Sequence, residues 1–156
     1  MANKRNVEGT VNFLGSAKPI ETPSIPTTVG EVMTSKIVSL SPSNSLQEAI
    51  GLMANNSFRH FPVVEDNAHL AGVVSDRDLL RAMNLNKDWS STTITQVMTQ
   101  NVVKVKRHTP LSVAVEEILT RRINCLPVVD DNDRVCGIVT STDLLKAFQQ
   151  VQKRFE

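Results

Sequence analysis

Gly72-Val73-Val74-Ser75-Asp76-Arg77-Asp78-Leu79-Leu80 and Gly137-Ile138-Val139-Thr140-Ser141-Thr142-Asp143-Leu144-Leu145 carry one pattern, G-h-V-[ST]-x-x-D-L-L with h apolar, written twice at a displacement of 65 residues. The same displacement carries Phe61-Pro62-Val63-Val64 onto Leu126-Pro127-Val128-Val129, and Val32-Met33-Thr34 onto Val97-Met98-Thr99, without a gap. Over Val32 to Met83, 17 of 52 aligned positions are identical, more than apolar patterning alone produces. The chain is an internal duplication, and a repeat governs the fold before any local signal does.

Inside each copy the periodicities change in a fixed order. Leu46, Ala49, Ile50 and Met53 lie at i, i+3, i+4 and i+7, the stripe of an amphipathic helix, and Leu111, Ala114, Val115 and Ile118 repeat it. Asn44 is the expected N-cap of the first helix; Thr109 caps the second, with Pro110 at its first turn. Next come two β-branched runs around a polar turn, His60 to Val64 and Leu70 to Ser75, which read as a hairpin. A second helix runs from about Asp76 to Met83, and its counterpart from Ser141 to beyond Phe148. With apolar Ile37-Val38 ahead of the first helix, each unit reads β-α-β-β-α, an α+β arrangement. A copy of this size buries too little apolar surface to stand alone, so the two copies must pack together.

The expected organisation is a flexible leader over 1–28, repeats over 29–83 and 94–148, a linker over 84–93 and a tail over 149–156. Pro19, Pro23 and Pro26 among polar residues account for the leader. Trp89 reads as a packing anchor between the copies.

Composition excludes several function classes. A net charge of +1 over 156 residues, with 4% aromatics, argues against a nucleic-acid binder, which needs a basic face and stacking platforms. No stretch approaches the roughly 20 apolar residues that span a bilayer. Cys125 and Cys136 lack C-x-x-C spacing, and His60, His69 and His108 lack ligand spacing, so no metal site is expected. Asp130-Asp131-Asn132-Asp133 lacks the glycine and distal glutamate of a calcium loop and reads as a hairpin turn. With no nucleophile and base at recognisable spacing, no catalytic residue is assigned, and the chain is expected to be a cytoplasmic non-enzyme.

The closing pattern has two physical readings. An S-x-x-D or T-x-x-D ahead of an apolar run is a variant of the capping box, which satisfies backbone donors without any ligand. A helix N-terminus also favours phosphate, a hydroxyl at Ser75 or Thr140 adds a rotatable donor, and a carboxylate at Asp78 or Asp143 suits the vicinal hydroxyls of a ribose. The two roles can coexist.

The β-α-β-β-α order, the h-P-V-V strand and the closing pattern together resemble the CBS domain, named for cystathionine β-synthase, over Val29 to Phe148. The resemblance implies a tandem pair, or Bateman module, packed with pseudo-two-fold symmetry around two clefts that hold an adenosine-containing nucleotide. AMP, ADP or ATP is the expected ligand, with S-adenosylmethionine or a dinucleotide as alternatives, and no further cofactor is required. Ribose and phosphate contacts fall on Ser75, Arg77, Asp78, Thr140, Thr142 and Asp143. Adenine and phosphate contacts fall on Thr34, Val38, Phe58, Arg59 and His60 in one copy, and on Thr99, Val103, Ile123, Asn124 and Cys125 in the other. The implied protein is a regulatory homodimer that reports its ligand to a protein partner; the alternative is a dimeric interaction scaffold with empty clefts.

Overall fold

The periodicities settle into helices and hairpins close to where they are read, and the segments leading into each repeat then tie the two repeats together. The computed structural model describes residues 24–156; residues 1–23 of the expected leader lie outside them. The first repeat comprises α1 (Val29–Val32), α2 (Leu46–Asn55), β1 (His60–Val64), β2 (Leu70–Ser75) and α3 (Asp76–Leu85). The second comprises a 3-10 turn (Ile94–Gln96), β3 (Val105–Lys106), α4 (Leu111–Arg121), β4 (Cys125–Val129), β5 (Val135–Thr140) and α5 (Ser141–Gln152).

Both hairpins share one register: His60 pairs with Ser75 and Val64 with Leu70, as Cys125 pairs with Thr140 and Val129 with Val135. At the turns Ala68 (φ 64°) and Asp133 (φ 61°) take the left-handed conformation at equivalent places. The leading strand departs from expectation. Instead of Ile37-Val38, a parallel bridge forms at Leu40, whose N–H donates to Pro62 O at 2.9 Å, and in the second repeat β3 pairs Val105 with Val128. Ile37 is taken up elsewhere: with its equivalent Val102 it packs on a buried seam of Val73, Cys125 and Ile138 between the repeats.

The helix caps also differ from expectation. Ser45, not Asn44, caps α2: its Oγ accepts from Glu48 N–H at 3.1 Å while Glu48 accepts from Ser45 N–H, and Asn44 Oδ1 takes the Ser41 N–H instead. Pro110 stands at the cap of α4 with no side-chain bond, and Thr109 Oγ1 accepts from Lys106 N–H at 2.9 Å. Val115 is 37% exposed, so the buried stripe of α4 is Ala114 and Ile118. The Trp89 indole N–H donates to Met83 O and Asn86 O at 3.3 and 2.9 Å, and its carbonyl accepts from Gln47 N–H.

Each repeat has its own core, and each core is completed by the other repeat's leading segment. Leu40, Leu46, Phe61, Val63, Val74 and Leu79 close around Ile94, with Val97 and Met98 packed alongside; Val105, Ala114, Leu126, Val128 and Val139 close around Val29, with Val32 and Met33. Fully buried Phe61 and Leu126 each contribute about 1.5–3 kcal/mol. The exchange is tied by matched backbone bonds. Val29 N–H donates to Thr109 O (2.9 Å) as Ile94 N–H donates to Asn44 O (2.8 Å), and Thr34 bridges Ile138 as Thr99 bridges Val73. Thr27 and Thr28, the end of the expected leader, belong to this joint: Leu111 N–H donates to Thr27 O, and Thr28 bridges Pro110.

The crossing explains the glycine that opens each closing pattern. A Cβ at Gly72 would lie 2.6 Å from Thr99 O, and one at Gly137 would lie 2.9 Å from both Thr34 O and Met33 Sδ. Only a residue without a side chain lets the V-M-T segment of the other repeat pass.

Candidate functional site

Each closing pattern turns from a strand into a helix at its hydroxyl residue. Ser75 caps α3: its N–H and Oγ–H donate to Asp78 Oδ2 at 2.9 and 2.7 Å, and Asp78 N–H donates back to Ser75 Oγ at 3.1 Å. Thr140 caps α5 in the same way, donating to Asp143 Oδ2 at 2.8 and 2.7 Å. The capping role is therefore real in both copies. One relation breaks the symmetry: Thr34 Oγ1 donates to the second oxygen of Asp143 at 3.2 Å, across the repeats.

Because β2 and β5 lie against the seam, both helix N-termini open onto one cleft of about 970 Å³. Its walls include Thr34, Phe58, Arg59, His60, Ser75, Arg77, Asn124, Thr140, Thr142 and Asp143, all expected from sequence. The other six expected residues lie off these walls. Val38 packs on the first core, Val103 and Ile123 on the second, and Cys125 in the seam. Thr99 and Asp78 also lie off the walls, although their equivalents Thr34 and Asp143, with the same backbone and cap bonds, lie on them. The walls also carry Ser57, Asp76, Leu80, Ile138, Ser141 and Lys146, which motif reasoning missed. Lys146 was within reach of it, since it follows Asp143 by three residues and shares its face of the helix.

Polar groups are unevenly placed in this cleft. Asp76 Oδ1 accepts the Arg77 N–H at 2.8 Å, so a side chain of α3 already takes one of the donors in its first turn. Ser141 holds the equivalent place on α5 and brings no carboxylate. The strand-start positions diverge further. Burial holds the His60 imidazole below its usual 6.5, against the pull of Asp76 and Asp78, and Arg59 adds to the lowering. At the matching position burial, with help from the Asp78 charge, pushes the Cys125 thiol up to about 12. The arrangement offers hydroxyls, two carboxylates, Asp76 and Asp143, and the cations Arg59, Arg77 and Lys146 around one hollow.

The cytosolic domain of the Mg2+ channel MgtE in complex with ATP has a related fold at 27% identity and TM-score 0.67, over 77% of this chain and 48% of that one. The CBS domain pair of protein MJ0100, in complex with 5′-methylthioadenosine and S-adenosyl-L-methionine, is 30% identical over 78% of this chain and 99% of that one, TM-score 0.72. CBSX2, a CBS-pair protein from Arabidopsis thaliana, in complex with AMP, is 31% identical over 81% of this chain and 99% of that one, TM-score 0.73. Among curated proteins, the L-aspartate semialdehyde sulfurtransferase of Methanocaldococcus jannaschii is 31% identical over 88% of this chain, and inosine-5′-monophosphate dehydrogenase of the same organism 33% over 74%. The chain spans about a quarter of the length of these relatives, 26% and 22%. Residues 29–85 and 94–150 each match the CBS domain, so the chain belongs to the CBS domain family as a tandem pair.

Proposed function

We propose that this chain is a regulatory module that binds an adenosine-containing nucleotide between its repeats and passes occupancy to a partner protein, without catalysis of its own. The observation that carries the reading is the cleft of about 970 Å³ onto which both closing patterns open, a volume at the upper end of small-molecule sites. Adenosyl compounds bound to the CBS domain pair of MJ0100, to CBSX2 and to the cytosolic domain of MgtE support the same ligand class. The ligand touches both repeats and stabilises one relative position, and only that difference in affinity alters what a partner meets.

Pairing of two chains fits the exposed faces of α3 and α5. Leu80 (53% exposed) and Leu145 (67%) are equivalent residues, and Leu85 and Phe148 extend the apolar surface. A second copy matches such a near-symmetric patch, so light scattering should give about twice the 17.2 kDa of one chain. No helix of the described residues is long and apolar enough to cross a membrane, and we place the module in the cytoplasm.

Thermal unfolding with AMP, ATP and S-adenosylmethionine tests the reading. Ligand at about 100 times its Kd stabilises the fold by about 2.7 kcal/mol, a shift of about 5 to 10 °C for a domain of this size. No shift with any of the three leaves the dimeric scaffold as the better account.

A further inference from the structure

The cleft wall carries three permanent cations, Arg59, Arg77 and Lys146, on three different segments of the chain. Among the described residues the ion pairs are Lys104–Asp133, Lys106–Asp131 and Arg121–Glu117, so none of the three cleft cations has an acidic partner. The two carboxylates on the same wall are engaged by other donors: Asp76 by the Arg77 N–H, and Asp143 by Thr140 and Thr34. Three unpaired cations around one hollow set its ligand preference, because charge-assisted bonds to phosphate are about twice as strong as neutral ones. A sulfonium centre attached at the 5′ carbon of the ribose would be repelled by the same cations, and the lone carboxylate of S-adenosylmethionine, offset by its ammonium, returns less attraction than a phosphate.

The two halves of the pair are also unequal. Asp143 is on the cleft wall and Asp78 is not; Arg81, the equivalent of Lys146 on α3, is not on it either. At the equivalent strand starts Cys125 is buried in the seam, whereas His60 lines the cleft.

We propose that the cleft accepts one phosphorylated adenosine per chain, with its ribose at Asp143 and its phosphates among Arg59, Arg77 and Lys146, and discriminates against adenosyl ligands that carry a sulfonium. The proposal rests on the adenosyl reading above and adds to it a charge class, a stoichiometry and a specificity residue, Lys146.

Calorimetric titration of the full chain with adenosine, AMP, ADP, ATP and S-adenosylmethionine tests it, using wild type, Lys146→Ala and Arg81→Ala. One site per chain is expected, with S-adenosylmethionine at least about tenfold weaker than the best phosphorylated ligand. Lys146→Ala should weaken the phosphorylated ligands by about tenfold and leave adenosine within about twofold. Arg81→Ala, on the same face of the other helix and off the cleft, should change neither. Two sites per chain, S-adenosylmethionine as tight as the nucleotides, or equal losses for adenosine and ATP in Lys146→Ala would each overturn the proposal while leaving adenosyl binding in place. A wild type that binds none of the five removes the adenosyl reading and the proposal with it.

Discussion

Thr34 of the first repeat donates its hydroxyl to Asp143 of the second at 3.2 Å, whereas the equivalent Thr99 makes no such bond to Asp78 among the described residues. The bond joins the crossed leading segment to the carboxylate that faces the cleft. Thr34→Val removes it and should cost about 1 kcal/mol of stability in urea, while Thr99→Val should be close to neutral. Equal costs in the two variants would show that the repeats are energetically symmetric after all.

The crossing segments predict opposite signs for two glycine-to-alanine changes. Gly137→Ala drives a Cβ to 2.9 Å from the backbone carbonyl of Thr34, and overpacking of this kind costs about 1–3 kcal/mol. Gly51, in the middle of α2, has open space where a Cβ would stand, with nothing within 4 Å, so Gly51→Ala should stabilise by about 0.5–1 kcal/mol through helix propensity. Denaturant midpoints of the two variants on opposite sides of wild type are the expected outcome.

Much of this architecture is legible in the sequence because it is local. Both hairpins obey the period-2 pattern bounded by polar turns, and β1 and β2 fall at His60–Val64 and Leu70–Ser75 as read. The first residues of α3 and α5 follow from the S-x-x-D and T-x-x-D caps. What the pattern could not convey is partnership at a distance. Val29 and Ile94 look like the first apolar residues of their own repeats, yet each is buried in the core of the other, since hydrophobicity specifies burial and not the neighbour. The same limit applies to the site. Ten expected residues share the cleft wall, whereas Val38, Val103, Ile123 and Cys125 are apolar or neutral side chains that packing claims for the cores and the seam.

Asp143→Asn and Asp78→Asn separate ribose recognition from capping. Both keep an acceptor for the cap, so each should cost the apo fold no more than about 1 kcal/mol. Since Asp143 is on the cleft wall, its variant should weaken nucleotide binding by about tenfold or more, the loss expected for a charge-assisted contact. Asp78→Asn should stay within about threefold, a difference of less than 1 kcal/mol. Calorimetry with ADP checks the ranking, and a larger loss in Asp78→Asn would place the ribose on the other side of the pair.

Cys125 is a probe of the seam. With its thiol buried and pushed up to about 12, it should resist alkylation at neutral pH until the repeats separate. Mass spectrometry after brief iodoacetamide treatment should find Cys125 unmodified in native protein and modified in urea. Rapid native labelling would mean that the seam opens without unfolding.

If a nucleotide occupies the cleft, His60 should make its binding and the stability of the fold depend on pH in opposite directions. Its imidazole is half-buried and held below 6.5 in the folded chain, with Arg59, Asp76 and Asp78 as the charges acting on it and Arg77, Asp143 and Lys146 on the same cleft wall. The unfolded chain, with the ordinary value, binds the proton more readily, so protonation favours unfolding. This contribution to stability is complete above the unfolded value of about 6.5 and is lost as pH falls from there towards the lower folded value. A bound phosphate reverses the balance, because its negative charge beside His60 favours the imidazolium. Binding should therefore take up a proton near pH 6, and affinity should rise as pH falls from about 8 to 6. The phosphate's own ionisation, with a second pKa of about 6, contributes equally to wild type and to His60→Gln, so the difference between them isolates the histidine. Calorimetry in two buffers of unlike ionisation enthalpy measures that uptake. His60→Gln should show a smaller uptake and a flatter acid limb of its stability curve; identical uptake in the two proteins would remove His60 from the phosphate's surroundings.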